Sequence, residues 1–316
     1  MAENSYYQTD HAFRGNKVGS TFEPTFSGAL SFMRRRYSRD LAGVDAVIWG
    51  VPFDCATSNR PGARFGPQAL RRASAIFDVD PQYPSGIDPF ENMSVIDWGD
   101  CAINHAKLQT VPAAIETEAR TILASGAHLI TLGGDHYITL PLLRAHVAKH
   151  GPLALVQFDA HQDTWPDDEE TISHGSFVIR AVREGLIDTK RSIQIGIRTI
   201  APEDCGIEII DGYKVQELGV SGVINAIKAR VGTGPAYLTV DIDVLDPAFA
   251  PGTGTPVSGG LSSAQALMIQ RGIADIDWRG MDIVEVAPAY DHADITAIAG
   301  STFVQHHLLM LAAKKR

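Results

Sequence analysis

Eight short, apolar, β-rich runs recur along this chain, and stretches with helical spacing separate them. The runs cover residues 45–51, 94–97, 127–132, 153–158, 192–197, 206–210, 236–240 and 281–286. None alternates cleanly between apolar and polar residues, so neither face of the sheet they build can be turned to water. Helices are expected over residues 66–77, 107–125, 137–149, 174–184, 222–231, 262–274 and 295–314. Local punctuation agrees with several of these boundaries. Pro67 suits a first helical turn, Gly126 and Gly151 suit helix ends, and Ser262 with Gln265 suits a capping box. Strands alternating with helices imply α/β architecture: a single-domain, three-layer α/β/α fold around a mostly parallel, about eight-stranded sheet. Residues 1–40 are polar and irregular and read as an N-terminal arm, with residues 41–316 as one domain. Within the arm, the charge run Arg34, Arg35 and Arg36 reads as a solvated face or an oligomer contact.

In open α/β sheets, ligands bind beyond the carboxyl ends of the strands. This chain concentrates polar clusters there. Residues 133–136 (GGDH) follow the third run and residues 159–163 (DAHQD) the fourth. Asp241 and Asp243 follow the seventh, and Glu285 lies near the end of the eighth. In DAHQD, Asp159, His161 and Asp163 are spaced two apart, which places them on one face wherever the backbone stays extended. Asp241 and Asp243 repeat that spacing. With His136 they make six candidate metal ligands, His136, Asp159, His161, Asp163, Asp241 and Asp243. Four carboxylates and two imidazoles exceed the usual four ligands of one zinc ion and suit two divalent ions. Carboxylate and imidazole without thiolate favour Mn²⁺ over Zn²⁺ or copper. Two adjacent ions would lower the pKa of a water held between them and orient it for attack.

Other polar residues have plainer readings. Asp246, just before Pro247, reads as a carboxylate that fixes a turn. Gly252, Gly254, Gly259 and Gly260 lack a following Lys–Ser/Thr, so they read as a loop that lets backbone approach the site, not as a phosphate cradle. His105, His128, His146, His150, His292, His306 and His307 show no partner pattern and read as structural or solvent-facing.

A formal net charge of −10 argues against nucleic acid or an anionic membrane as partner and is compatible with a cationic substrate. The three cysteines, Cys55, Cys101 and Cys205, are scattered and read as reduced thiols. No secretory h-region is visible at the N-terminus, and no apolar run reads as approaching membrane-spanning length, so the expectation is a cytoplasmic protein.

Taken together, GGDH (133–136), DAHQD (159–163), SHG (173–175), DIDVLDPAFAPGTGTP (241–256) and EVAPAYD (285–291) resemble the ureohydrolases, the arginase and agmatinase family of binuclear manganese hydrolases. The resemblance runs from about residue 51 to the C-terminus, and the last two motifs match the bacterial agmatinase branch best. It implies an arginase-like fold, two Mn²⁺ per subunit and homotrimers or homohexamers. By the same resemblance, His136, Asp159, Asp163 and Asp241 hold one ion. Asp159, His161, Asp241 and Asp243 hold the other, with Asp159 and Asp241 bridging. His174 matches the family's proton-shuttling histidine and Glu285 its guanidinium-binding carboxylate, while Asp163 carries a proton to the departing amine. Those roles suit a guanidinium carbon, which is a poor electrophile and needs a positioned nucleophile and acid.

The loop leaving DAHQD bears on the substrate. Arginases resemble it only in outline, placing an asparagine where this chain has Trp165, which disfavours arginine. Asp167, Asp168, Glu169 and Glu170 follow without a Lys or Arg and favour an ammonium tail over a carboxylate tail. The expected substrate is therefore agmatine, a small cationic guanidino compound, bound by Glu285, His174 and Trp165. The alternatives are 4-guanidinobutyrate or 3-guanidinopropionate, which Arg180 or Arg198 would favour by reaching the pocket, and then arginine. Two other classes compete: a one-zinc deacetylase of the same fold and a non-catalytic homologue. The full set of six ligands argues against both.

Overall fold

The apolar runs become parallel strands. The computed structural model describes residues 10–19, 23–77, 81–168 and 170–315. The strands are β1 (Arg36–Tyr37), β2 (Ala46–Val51), β3 (Val95–Asp100), β4 (His128–Gly133), β5 (Ala154–Phe158), β6 (Ile193–Ile197), β7 (Glu208–Asp211), β8 (Pro235–Asp241) and β9 (Asp277–Val284). They form one nine-stranded sheet in the order β1-β3-β2-β4-β9-β8-β5-β6-β7, and every neighbouring pair is parallel. The helices are α1 (His11–Arg14), α2 (Gly66–Ser74), α3 (Val111–Ala124), α4 (Thr139–His150), α5 (Phe177–Arg183), α6 (Gly212–Val231), α7 (Ser263–Gly272) and α8 (Ile295–Lys315).

Successive strand residues feed two cores, which explains the absence of one-sided alternation. Val47, Trp49, Leu129 and Leu155 pack with Ile115 and Ile122 of α3 and Leu142 of α4. Ile48, Ile130, Val156 and Met281 pack on the other face with Leu70 of α2, Ile227 of α6, Ile269 of α7 and Phe303 of α8. The result is the expected three-layer arrangement. The capping box forms as read: Ser262 Oγ accepts the Gln265 N–H at 3.2 Å, and Gln265 Oε1 accepts the Ser262 N–H at 3.0 Å.

Four readings need correction. A ninth strand, β1, pairs with β3 inside the stretch read as irregular; two residues are too short to show periodicity. The charge run is not a solvated face, because Arg34 and Arg35 are buried. The Arg35 guanidinium lies 3.7 Å from the Phe90 ring centroid and donates to the carbonyl oxygens of Met33 and Gly19. Arg34 pairs with Glu23 at 3.3 Å. Arg34 thus ties the N-terminal stretch to itself, and Arg35 joins it to Phe90 while satisfying backbone carbonyls. Helix α6 begins at Gly212, nine residues before the expected cap at Ser221. Asp211 caps it through the Lys214 N–H at 2.8 Å, and Gly219, at φ 63°, interrupts it. Finally, α8 is long and apolar enough to cross a membrane, with 21 residues and a mean hydropathy of 1.2 in its best window. Of that window 78% is buried inside the fold, as a core helix requires.

A buried ion-pair group fastens α2 to β3. Arg71 Nε lies 2.7 Å from Asp97 Oδ2, and Arg71 Nη1 lies 2.6 Å from Asp100 Oδ1. Asp97 is fully buried and also accepts the N–H groups of Phe32 and Gly99. Replacing Arg71 with Ala strands that carboxylate in the core and is expected to cost about 3 kcal/mol or more. Denaturant unfolding checks this; a loss under about 0.5 kcal/mol would mean the pair is dispensable.

Candidate metal centre and its cavity

The four strands at the middle of the sheet, β4, β9, β8 and β5, carry the candidate residues at their carboxyl ends. After β4, Asp135 Oδ1 accepts the Tyr137 N–H at 3.2 Å and turns the chain so that His136 points inward. After β5, Asp159 Oδ1 accepts the His161 N–H at 2.6 Å, and Asp243 Oδ1 accepts the Ala160 N–H at 3.0 Å. After β8, Asp241 Oδ1 accepts the Asp243 N–H at 2.8 Å. Asp241 and Asp243 each spend Oδ1 on a strand-end amide and turn Oδ2 toward an imidazole.

All six candidate ligands converge. His136 Nδ1 lies 3.0 Å from Asp159 Oδ2, 3.0 Å from Asp163 Oδ2 and 3.3 Å from Asp241 Oδ2. His161 Nδ1 lies 3.0 Å from Asp243 Oδ2 and 3.5 Å from Asp159 Oδ1. Asp159 therefore sends one oxygen to each group. Two sets, His136–Asp159–Asp241 and Asp159–His161–Asp243, each gather their donor atoms within 4.8 Å. Extended backbone does not bring in Asp163: its φ is 53°, a left-handed turn that swings the carboxylate beside His136.

The donor set fits a cation. His136 Nδ1 is buried and makes no hydrogen bond, although three carboxylate oxygens ring it. Its other nitrogen, Nε2, lies 2.8 Å from Thr239 Oγ1, whose hydroxyl donates to Asp282 Oδ1. That chain leaves the Nδ1 lone pair free for a metal. Without metal the charges are held by protons. Burial works against protonating His161, but Asp243 and Asp159 outweigh it and push the imidazole up to about 12. Burial, then the neighbouring Asp159, pushes Asp163 up to about 6.

A cavity of about 260 Å³ opens over these residues, lined by Ser58, His161, Asp163, Trp165, Ser173, His174, Gly175, Asp241 and Thr255. His174 Nδ1 faces Glu285 Oε1 at 2.8 Å. Burial opposes protonation of His174, yet Glu285, Asp163 and Asp135 pull it upward. Glu285 sits in left-handed backbone at φ 62°, and its Oε2 is buried without a partner. Gly254 leaves that oxygen open, because a Cβ there would lie 3.6 Å from it and 3.0 Å from the Arg60 carbonyl oxygen. Asp246 holds its turn as expected, accepting the N–H groups of Ala248, Gly259 and Gly260.

Compared with known proteins, residues 44–310 match the model of the Arginase family. The chain belongs to the arginase family. An agmatinase from Chromobacterium violaceum is 49% identical over 317 residues, covering 100% of this chain and 98% of that one. The structure of a hypothetical agmatinase from Burkholderia thailandensis superposes with a TM-score of 0.96 at 52% identity, covering 97% and 98% of the two chains. A proclavaminate amidino hydrolase from Streptomyces clavuligerus gives 0.88 at 37% identity, covering 92% and 99%.

In this arginase-family protein several site residues lie outside the motifs read from sequence. Ser58 sits in the loop after β2 and touches His174 Nε2. Gln157 donates to Asp159 Oδ2 at 2.7 Å and accepts from Gln194 at 2.8 Å. Thr239 and Asp282 stand behind His136. Of the acidic run, the Asp167 side chain is buried against Arg180 and Arg183, Asp168 caps the Thr171 turn, and Glu169 lies outside the described residues. Arg198 donates to the carbonyl oxygens of Gly196, Asp243, Val244 and Val257. Neither Arg180 nor Arg198 lines the cavity.

These protonation states set a pH dependence for metal uptake. Despite burial, the neighbouring carboxylates push both His161 and His136 well above the usual imidazole range, so a metal must displace a proton from each at neutral pH. Raising the pH relieves that competition, and affinity for Mn²⁺ is expected to rise about tenfold to a hundredfold per unit between about pH 6 and 8. Below about 6, Asp163 adds a further competing proton. Calorimetry in two buffers of different ionisation heat reads both the affinity and the released protons. Uptake independent of pH would contradict the assignment. Asp159→Asn should weaken both ion sites together, measured as metal content after dialysis; retained stoichiometry would exclude a bridging role.

Proposed function

We propose that this protein hydrolyses agmatine to putrescine and urea, using two Mn²⁺ per subunit. The observation that carries the choice of substrate is the charge of the cavity. Among the described residues its lining includes no Lys or Arg, and the lining residue His174 contacts Glu285, whose Oε2 is buried without a partner. A guanidinium satisfies that oxygen, whereas a carboxylate tail finds no cation. The acidic loop supports this less than its sequence suggests, since Asp167 is already neutralised. The agmatinase names of the relatives agree with the reading.

His136, Asp159, Asp163 and Asp241 would hold one ion, and Asp159, His161, Asp241 and Asp243 the other. When bound, such ions supply Lewis acidity that makes water a strong nucleophile at neutral pH. The chain's own residues do the rest. Glu285 binds the guanidinium through Oε2 and fixes its carbon over the carboxylate cluster. Asp163 holds a proton at its carboxyl and passes it to the alkyl nitrogen as the C–N bond breaks, so the tail leaves as an amine and the remainder as urea. His174 moves a proton at Nε2 between the cavity and solvent. Trp165, whose ring centroid lies 6.3 Å from that of His161, walls the cavity where the tail runs.

The same reading makes residues 1–40 an arm and 41–316 the catalytic domain of a cytoplasmic homotrimer or homohexamer. Phe26, Tyr83, Ile200 and Tyr213 are each at least 85% exposed, as apolar groups awaiting a subunit contact would be. The deciding experiment is a urea-release panel over agmatine, arginine, 4-guanidinobutyrate, 3-guanidinopropionate and guanidine, with Mn²⁺ and Ni²⁺ compared. Agmatine with Mn²⁺ should give the highest kcat/KM, by about tenfold or more over the anionic tails. Preference for 4-guanidinobutyrate would overturn the charge reading. Glu285→Gln should lower kcat/KM for agmatine by about a hundredfold or more; a loss confined to a few-fold would remove Glu285 from the guanidinium site.

A further inference from the structure

We infer that Ser58 is a positioning residue that sets which nitrogen of His174 carries the proton and lets the other exchange it; this rests on the role proposed above for His174. Two groups of Ser58 meet the same ring nitrogen. Its backbone N–H donates to His174 Nε2 at 3.0 Å, and its hydroxyl lies 2.8 Å from that atom. A backbone N–H is a fixed donor and cannot accept. With it aimed at Nε2, that nitrogen bears the lone pair, and the ring's proton sits at Nδ1, 2.8 Å from Glu285 Oε1.

The acidic neighbours Glu285, Asp163 and Asp135 favour a second proton on the ring, while the Ser58 N–H opposes it. The directed bond decides the resting state. Cations among the carboxylates would weaken the acidic pull and leave the N–H in place. Only the hydroxyl can follow the ring through a cycle. It donates to the Nε2 lone pair at rest. When a proton from the cavity forms Nε2–H, the hydroxyl rotates to accept it, and it returns to donating when that proton leaves. Ser58 itself gains and loses nothing. Its place on the cavity wall gives the rotated O–H a solvent partner.

The loop that carries Ser58 is held for this task at both ends. Asp135 Oδ2 accepts the Ala56 N–H at 2.8 Å, and the Ala56 carbonyl accepts the His174 N–H at 3.2 Å. Beyond Ser58, Asn59 Nδ2 donates to the Gly254 carbonyl at 2.9 Å, and Asp54 Oδ2 accepts the Gly62 N–H at 2.8 Å. Loop and imidazole are therefore docked as one unit, with the Ser58 contacts at its centre.

Ser58→Ala keeps the N–H and removes the hydroxyl. Measured on the full chain with Mn²⁺ and agmatine, it should lower kcat about tenfold to a hundredfold with KM within about threefold, and Ser58→Thr should restore most of the rate. Unchanged kcat, or a loss carried by KM, would overturn the inference. Ring-¹⁵N spectra of the full chain supplied with diamagnetic Mg²⁺, assigned with His174→Gln, give a readout independent of turnover. Nε2 should report an unprotonated, hydrogen-bonded nitrogen that moves toward the free value in Ser58→Ala. A protonated Nε2 in the wild type would refute the assignment whatever the kinetics. Full activity in His174→Gln would instead refute the role given to His174, leaving the spectra to judge Ser58.

Discussion

Buried like charge is the constraint on which this structure depends. Asp135, Asp159, Asp163, Asp241, Asp243 and Glu285 all lie buried beneath one cavity. Two unit charges about 4 Å apart cost on the order of 4 kcal/mol at the effective dielectric of a protein site, so the group cannot simply ionise there. The fold answers in two ways. Amides at the strand ends donate to one oxygen of most of these groups, at the backbone of Ala160, His161, Asp243, His136 and Ala56. Imidazoles from His136, His161 and His174 stand among the remaining oxygens. His136 Nδ1 and Glu285 Oε2 stay unsatisfied, and in the proposed function a metal and a guanidinium complete the balance there. A parallel sheet suits such a site because its strand ends present many amides along one edge.

Most of this was legible in the sequence because the relevant signals are local. Runs such as residues 153–158 announce strands, and acidic or imidazole groups at spacing two announce strand ends. The missed features depend on long-range packing. Ser58 is ordinary in sequence, and only the folding of the loop after β2 over α5 brings it to His174, 116 residues away. Arg35 looks solvated until Phe90 is seen against its guanidinium. The acidic loop misled for a similar reason, because Arg180 lies a helix away from Asp167 in the chain yet against it in space. One signal was available and unread. Gln157, Gln194, Thr239 and Asp282 are fully buried polar residues within strands, and such groups need partners. Gln157, Thr239 and Asp282 turn out to support the ligands.

Backbone strain follows the same geography. Asp163 and Glu285 are both non-glycine residues with positive φ; Asp163 lines the cavity, and Glu285 brings its carboxylate to His174 in the cavity wall. Each such conformation costs on the order of 1 kcal/mol and persists only where the surroundings enforce it. The Asp163 carbonyl accepts the Val178 N–H at 3.1 Å, and the Glu285 N–H donates to the Gly134 carbonyl at 2.8 Å. Placement of the reactive groups is thus enforced by neighbouring elements and not by their own strands.

The position of β9 has a consequence for biosynthesis. It is the last strand in the chain and the middle strand of the sheet, lying between β4 and β8. On a ribosome, β4 emerges about 150 residues before its neighbour, and the flanks of the sheet must wait apart until β9 arrives. Neither half-sheet alone brings His136 and Asp241 together. A nascent or truncated chain without β9 therefore keeps Asp159, His161, Asp241 and Asp243 on one half-sheet but lacks His136 beside them, and the full six-residue cluster closes only when the last strand is in place.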